Sequence, residues 1–245
     1  MRRSGRFVAL LGALLFGVTL LPVLALLNPD GRRAAARTWA RAVLAALGVR
    51  LSARGRLPRQ RALLVANHVS WLDIVALLAV APAHMVAKHE VRRWPVIGVL
   101  AAAGGTIFID RNRPRALPRT VAEVAATLRR GGVVAAFPEG TTWCGAESGR
   151  FRPAVFQAAI DAGAVVVPVS IRYGDDDTTA AFLGEDTLWT SLCRVLAVPR
   201  LTVSVTVTPA LHAEALATRR QLARVAEAAV HTRARLHPDS LGLAA

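Results

Sequence analysis

Two segments, Val133–Phe137 (VVAAF) and Val165–Ile171 (VVVPVSI), are almost unbroken apolar runs, each too short for a buried helix. A strand apolar on both faces has to be covered on both faces. That is the condition of a central strand in a mostly parallel sheet held between helices. Shorter strand-like segments, Ala62–Ala66, Met85–Ala87, Thr106–Ile109 and Leu201–Val207, accompany them. Between them lie helical patterns at Leu72–Val80, Val91–Ala103, Leu117–Arg130 and Pro153–Ala162, with a last helix over Arg219–Leu236. This alternation predicts an α/β fold with a mostly parallel central sheet covered by helices. Leu201–Val207 alternates apolar and polar residues, which predicts a half-exposed edge strand. Pro168 inside VVVPVSI predicts an edge or a bulge, because proline cannot donate to a strand ladder. There is no internal repeat and no low-complexity linker, so residues 53–245 read as one domain.

Residues 1–52 read differently. Phe7–Leu27 carries no charged residue, while Arg2, Arg3 and Arg6 precede it and Arg32, Arg33 and Arg37 follow. A signal peptide would have a shorter apolar stretch and a small-residue cleavage site, and Asn28-Pro29-Asp30-Gly31 does not resemble one. A transmembrane helix needs about 20 apolar residues, which this run supplies. Yet Pro22 interrupts it, and basic residues at both ends leave its orientation undecided. Thr38–Leu51 is amphipathic, with Trp39 as a candidate interface anchor. The same pattern suits a two-helix hairpin that enters one leaflet and returns, keeping both basic flanks on one side.

The net charge of +15 points to anionic partners: phospholipid head groups, acidic carrier proteins or nucleotides. Lys88 is the only lysine, and the arginines are spread along the chain. One tyrosine and five tryptophans leave no interleaving of aromatic and basic residues, which argues against nucleic acid. Cys144 and Cys193 have neither metal-ligand spacing nor the look of a disulfide framework.

Polar residues interrupt the apolar runs where strands end, and in open α/β sheets ligands bind at that edge. The first interruption is Asn67-His68-Val69-Ser70-Trp71-Leu72-Asp73. On one regular helix, residues five apart point about 140° away from each other. His68 and Asp73 therefore meet only if His68 lies in a loop and Asp73 in the first helical turn. Ser70 and Asp73, three apart ahead of an apolar run, form a capping-box-like pattern that places a helix start there. The same carboxylate also serves simply to stabilise a helix N-terminus. If the two side chains meet, the imidazole can take a proton from a hydroxyl while the carboxylate holds its tautomer.

The second interruption is Gly104–Arg111 (GGTIFIDR), where Arg111 is either a fork for a phosphate or an ordinary surface arginine. In the third, Phe137–Thr142 (FPEGTT), Glu139, Gly140 and Thr141 follow a buried strand. They make either a grip for a polar ligand or a plain turn. The fourth is Val166–Ser170 (VVPVS).

In this order and with this spacing, the four segments resemble the glycerolipid acyltransferase family typified by bacterial 1-acyl-glycerol-3-phosphate acyltransferase. Lys88, Glu90, Pro95 and Gly98 look like further family positions, and the resemblance runs from about Leu63 to Tyr173. It implies that His68 is a general base assisted by Asp73, and that Arg111 binds the acceptor's phosphate. Glu139, Gly140 and Thr141 would help hold the acceptor. The implied activity is acyl transfer to the free hydroxyl of a lysophospholipid, most simply 1-acyl-sn-glycerol 3-phosphate. The implied donor is acyl-CoA or acyl carrier protein, with no cofactor and no metal. The acceptor's own hydroxyl would attack the thioester. The implied setting is the cytoplasmic face of the inner or plasma membrane, reached through the N-terminal helices. A single span with its N-terminus inside would leave the rest of the chain outside the cell, away from activated acyl donors, so the hairpin is the favoured form. One position departs from the family: its third block commonly ends in Arg, and here Thr142 stands there. Arg150 or Arg152 is a candidate substitute. The departure leaves open another lysophospholipid or an amino-lipid as acceptor, and a non-catalytic basic membrane-binding protein is the alternative of another class.

Overall fold

The computed structural model describes residues 3–111, 113–143, 148–174, 180–182, 186–213 and 218–235. The strands are β1 (Val49–Arg54), β2 (Ala62–Ala66), β3 (His84–Lys88), β4 (Ile107–Ile109), β5 (Val133–Ala136), β6 (Val165–Tyr173), β7 (Leu201–Val207) and β8 (Leu211–His212). The helices are α1 (Arg3–Thr19), α2 (Leu21–Leu26), α3 (Pro29–Leu47), α4 (Leu72–Val80), α5 (Ile97–Ala103), α6 (Leu117–Arg129), α7 (Ala154–Ala162), α8 (Leu188–Ala197) and α9 (Arg219–Arg235). The sheet order is β1-β7-β6-β2-β5-β3-β4, with β8 also paired to β6. Strands β6, β2, β5, β3 and β4 run parallel, and β7 pairs antiparallel with β6 and parallel with β1. The α/β architecture with a mostly parallel sheet is therefore as the apolar runs require.

Side chains of the central strands alternate between two cores. In β2, Ala62, Leu64 and Ala66 join the layer of α1, α3, α4 and α8, while Leu63 and Val65 join that of α6, α7 and α9. All five are essentially inaccessible. Such complete coverage explains why these strands read as unbroken apolar runs.

Two strand expectations are corrected. β7 is not an edge strand, because it lies between β1 and β6. It alternates because Leu201, Val203 and Val205 face one core, while Thr202, Ser204 and Thr206 on the other face stay half-buried. Pro168 lies in a central strand. It is tolerated where β6 changes partner, between Val165 and Val166 on β8 and the stretch from Val169 on β7. Its carbonyl accepts from the Thr208 N–H at 3.0 Å and hydroxyl at 2.9 Å.

The helix expected over Val91–Ala103 is split: a 3₁₀ turn covers His89–Arg93, and α5 starts after Pro95, at Ile97. Helix α8 had no counterpart in the sequence reading. It lies in a stretch that carried no motif.

The N-terminal region departs furthest from expectation. The uncharged run divides into α1 and α2 around Pro22. Among the described residues, no helix is long and apolar enough to cross a membrane. Helix α3 begins earlier than Thr38: Asn28 caps it by accepting from the Gly31 N–H at 2.7 Å, with Pro29 in its first turn. It ends at Gly48, whose φ of 74° suits glycine, and β1 begins at once. The division expected at residue 52 thus falls inside β1, a strand of the sheet. Leu10, Val43, Leu44 and Leu47 belong to the same core as β2, so these helices are continuous with the main fold.

Trp39, expected at an interface, instead ties α3 to α1, since its indole N–H donates to the Ala13 carbonyl at 2.9 Å. Arg6 is 9% exposed and donates to the Val198 and Pro199 carbonyls at 2.7 and 2.9 Å. Arg6→Ala removes both bonds and leaves two carbonyls short of donors. We expect a loss of about 2 kcal/mol in stability and faster proteolysis around residues 20–28, read by thermal melting and limited digestion.

Candidate active site

The C-terminal ends of β2, β3, β4, β5 and β6 lie side by side, because these strands are parallel and adjacent. Each carries a polar residue at or just beyond its end: His68 after β2, Lys88 on β3, Arg111 after β4, Glu139 after β5 and Tyr173 on β6. Chain topology, not sequence proximity, gathers them.

His68 sits in the loop after β2 and Asp73 in the first turn of α4, as the five-residue spacing demands. The His68 Nδ1 lies 2.8 Å from Asp73 Oδ2. The His68 side chain is 17% exposed and that of Asp73 fully buried. Asp73 Oδ2 also accepts from the Val69 and Ser70 N–H groups at 2.7 and 2.8 Å. The capping-box pattern is only half formed: the N-cap is Trp71 without a side-chain cap, and the Asp73 N–H donates to the Ser70 carbonyl, not its hydroxyl. The Asp73 carboxylate both ties down the loop N–H groups and holds the imidazole. Asp73 Oδ1 accepts from the Tyr173 hydroxyl at 2.5 Å. The imidazole stacks on the Phe137 ring, centroids 4.1 Å apart and planes 16° from parallel. With Nδ1 engaged by the carboxylate, Nε2 is the ring nitrogen left for a reacting hydroxyl.

Several backbone contacts fix the His68 loop. The Asn67 amide bridges to β6, donating to the Ile171 carbonyl at 2.9 Å and accepting from its N–H at 2.8 Å. The Trp143 N–H donates to the His68 carbonyl at 2.8 Å, and the Phe182 N–H to the Val69 carbonyl at 2.9 Å.

Glu139 is placed differently from what the resemblance implied. Its carboxylate is 4% exposed and accepts from the His68 N–H at 2.8 Å, with Gly149 as a second backbone donor. In this position it ties the backbone of the histidine loop to the turn after β5. Gly140, at φ 83°, makes the turn after it. The Arg111 guanidinium donates to the Gly140 carbonyl, which joins the loops after β4 and β5. A side chain at Gly140 would meet Arg152, whose Nε lies 3.0 Å from the Cβ position. Arg111 and Arg152 are therefore close neighbours. Burial and then the like charge of Arg152 push the Arg111 pKa down, against the opposing pull of Glu90. Thr141 is exposed, and the Thr142 hydroxyl donates to the Phe182 carbonyl. Arg150 and Arg152 are both exposed, but it is Arg152 that the fold puts beside Arg111. Cys144 falls outside the described residues, and Cys193 is an exposed free thiol. Among the described residues, no cluster of His, Cys, Asp or Glu could hold a metal.

Sequence reasoning missed Tyr173. Its signal was present: it is the one tyrosine in the chain, and it ends the apolar strand beside β2. Nothing in local spacing ties it to a residue 100 positions away.

Burial pushes the Glu139 carboxyl up to about 8, with Asp73 and Glu227 adding to the rise and the two backbone donors opposing it. The folded value lies above the ordinary 4.5, so the folded chain holds this proton more tightly than the unfolded one. Its contribution to stability is complete below about pH 4.5 and fades as pH rises through about 8. Glu139→Gln keeps an acceptor for the His68 N–H without the titration. In melting curves across pH 5–9, we expect the wild type to lose stability toward alkaline pH relative to this variant.

The chain is similar to proteins of one family. A family model described as acyltransferase matches residues 48–172. The chain is 40% identical over 182 residues to the 1-acyl-sn-glycerol-3-phosphate acyltransferase of Neisseria meningitidis serogroup B, covering 72% of this chain and 71% of that one. It is 39% identical over 204 residues to the lyso-ornithine lipid O-acyltransferase of Pseudomonas aeruginosa, covering 81% and 78%. The fold matches the crystal structure of the 1-acyl-sn-glycerophosphate (LPA) acyltransferase, PlsC, from Thermotoga maritima. The TM-score is 0.72 at 18% identity, over 96% of this chain and 97% of that one. The family match over half the chain, and relatives near 40% identity matched over most of their length, lead to one conclusion: this chain is an acyltransferase of the lysophospholipid acyltransferase family.

Proposed function

We propose that this acyltransferase moves a fatty acyl group from acyl-CoA or acyl carrier protein to the free hydroxyl of 1-acyl-sn-glycerol 3-phosphate, giving phosphatidic acid. The observation that carries the reading is the His68–Asp73 contact at 2.8 Å, which leaves Nε2 as the ring nitrogen for a reacting hydroxyl. In this scheme Nε2 accepts the hydroxyl proton as the oxygen attacks the thioester carbonyl. Asp73 stabilises the imidazolium that results. The tetrahedral intermediate collapses, the C–S bond breaks, and the imidazolium returns its proton to the departing sulfur. No covalent acyl-enzyme is needed, because the acceptor supplies the nucleophile.

Arg111 and Arg152 would share the acceptor's phosphate. A dianion between them would offset the burial and the like charge of Arg152 that together lower the Arg111 pKa, and a guanidinium pair suits phosphate oxygens. Arg152 would then stand in for the arginine missing at Thr142. The reaction would take place at the cytoplasmic face of the membrane. Val8, Leu11, Leu15 and Phe16 of α1, with Val23 and Leu26 of α2, expose apolar side chains suited to a one-leaflet attachment.

A second reading is acylation of a lyso-ornithine lipid. Two observations favour it: Thr142 in place of the usual arginine, and the relative from Pseudomonas aeruginosa, which matches over more of the chain. Both acceptors use the same hydroxyl chemistry, and they differ in the head group presented to Arg111 and Arg152.

Membranes containing the protein, given each lyso-acceptor and either donor, with released thiol measured, test these readings together. His68→Ala should lower transfer by about 10²–10⁴-fold, the usual worth of a general base. Full activity in that variant would end the proposal for both acceptors. Arg152→Ala should raise KM for the phosphorylated acceptor about tenfold or more while leaving KM for the donor unchanged. An unchanged acceptor KM would remove Arg152 from the site.

A further inference from the structure

We infer that Tyr173 is a positioning residue for acyl transfer: its hydroxyl holds the far oxygen of Asp73 and thereby sets the orientation and charge of the carboxylate that serves His68. The inference rests on the His68–Asp73 reading of the site.

The argument begins with the two Asp73 oxygens. Oδ2 receives His68 Nδ1 and the Val69 and Ser70 N–H groups, all within 2.8 Å. Oδ1 receives the Tyr173 hydroxyl at 2.5 Å, in a pocket where both side chains are fully buried. A carboxylate turns readily about its last torsion, since that well is broad. Three donors gathered on one oxygen do not by themselves stop this motion, and a donor fixed on the other oxygen does.

Tyr173 is well placed to be that fixed point. It is the last residue of β6, pairs with Val203 of β7, and packs in the core that includes α4. The same strand holds the other side of the loop, through the Ile171 pairing with Asn67. One rigid strand therefore positions both the histidine loop and the carboxylate.

The phenol also affects charge. A hydrogen bond to Oδ1 draws electron density from the carboxylate and moderates its pull on the imidazole. Loss of the bond leaves more charge on Oδ2, favours the imidazolium, and reduces the neutral base. A hydrogen bond to a buried charged group is a strong one, and leaving its acceptor unmade is costly.

The test uses the full chain in membranes, with acyl transfer measured from pH 5.5 to 9. Tyr173→Phe should lower kcat by about ten- to hundredfold, matching the loss of one hydrogen bond to a charged group. KM for donor and acceptor should change little, and the acid limb of the kcat/KM profile should move to higher pH. A purely structural loss would scale the rate equally at every pH. Glu139, raised to about 8 and facing both Asp73 and Glu227, titrates within this range, but all three carboxylates are common to both proteins, so the displacement between them reports the lost phenol.

A second arm does not depend on Tyr173→Phe folding. The chain has one tyrosine, so growth on ring-fluorinated tyrosine alters this position alone. A fluorinated phenol is a stronger donor of nearly the same size, and it should move the acid limb to lower pH, opposite to phenylalanine. Unchanged profiles in both arms, or uniform loss at every pH, would overturn the inference. His68→Ala assayed in parallel separates this from a failure of the site reading: if that variant keeps full activity, the site reading itself falls.

Discussion

Asp73 is a buried carboxylate that accepts four hydrogen bonds, and the architecture around it is largely the means of supplying those donors. The imidazole, two loop N–H groups and a phenol reach it from a loop, a helix start and a strand. A carboxylate removed from water is costly unless it is fully satisfied. Satisfying this one fixes the path of the chain from Val69 to the first turn of α4. The orientation of His68 follows, with Nδ1 committed to the carboxylate.

A second carboxylate lies behind the same loop. Glu139 grips the His68 N–H, and its raised pKa records how little water reaches it. The two acids divide the work by environment: one has many donors and serves the imidazole, and the other has two backbone donors and serves the loop. Outside them lie Arg111 and Arg152, joined to the turn at Gly140.

Much of this was legible in the order of residues. The central strands announced themselves because coverage on both faces removes polar residues from them. The His68–Asp73 pair was legible because five-residue spacing across a helix start allows few geometries, and Ser70 with Asp73 marked that start. Less visible was anything depending on a distant neighbour. The polar face of β7 suggested an edge, yet β1 pairs beyond it, and β1 itself follows too closely on α3 to be seen as separate. Glu139 stood in a family block, but only the fold shows that it turns inward to the backbone of His68. Tyr173 touches a residue in a different block, and spacing has nothing to say about that.

By itself, the sequence determined the α/β class, the central strands, and the one local geometry, loop then first helical turn, in which His68 and Asp73 can meet. These follow from local periodicity, local spacing and composition, which are properties of short segments. The tertiary structure decided which strand ends come together, that Arg152 is the guanidinium beside Arg111, and that the N-terminal helices share the main core. It also decided that a phenol a hundred residues away completes the Asp73 shell. Such contacts arise from the crossing order of the parallel strands, and strand order is a long-range property that no short window of residues contains.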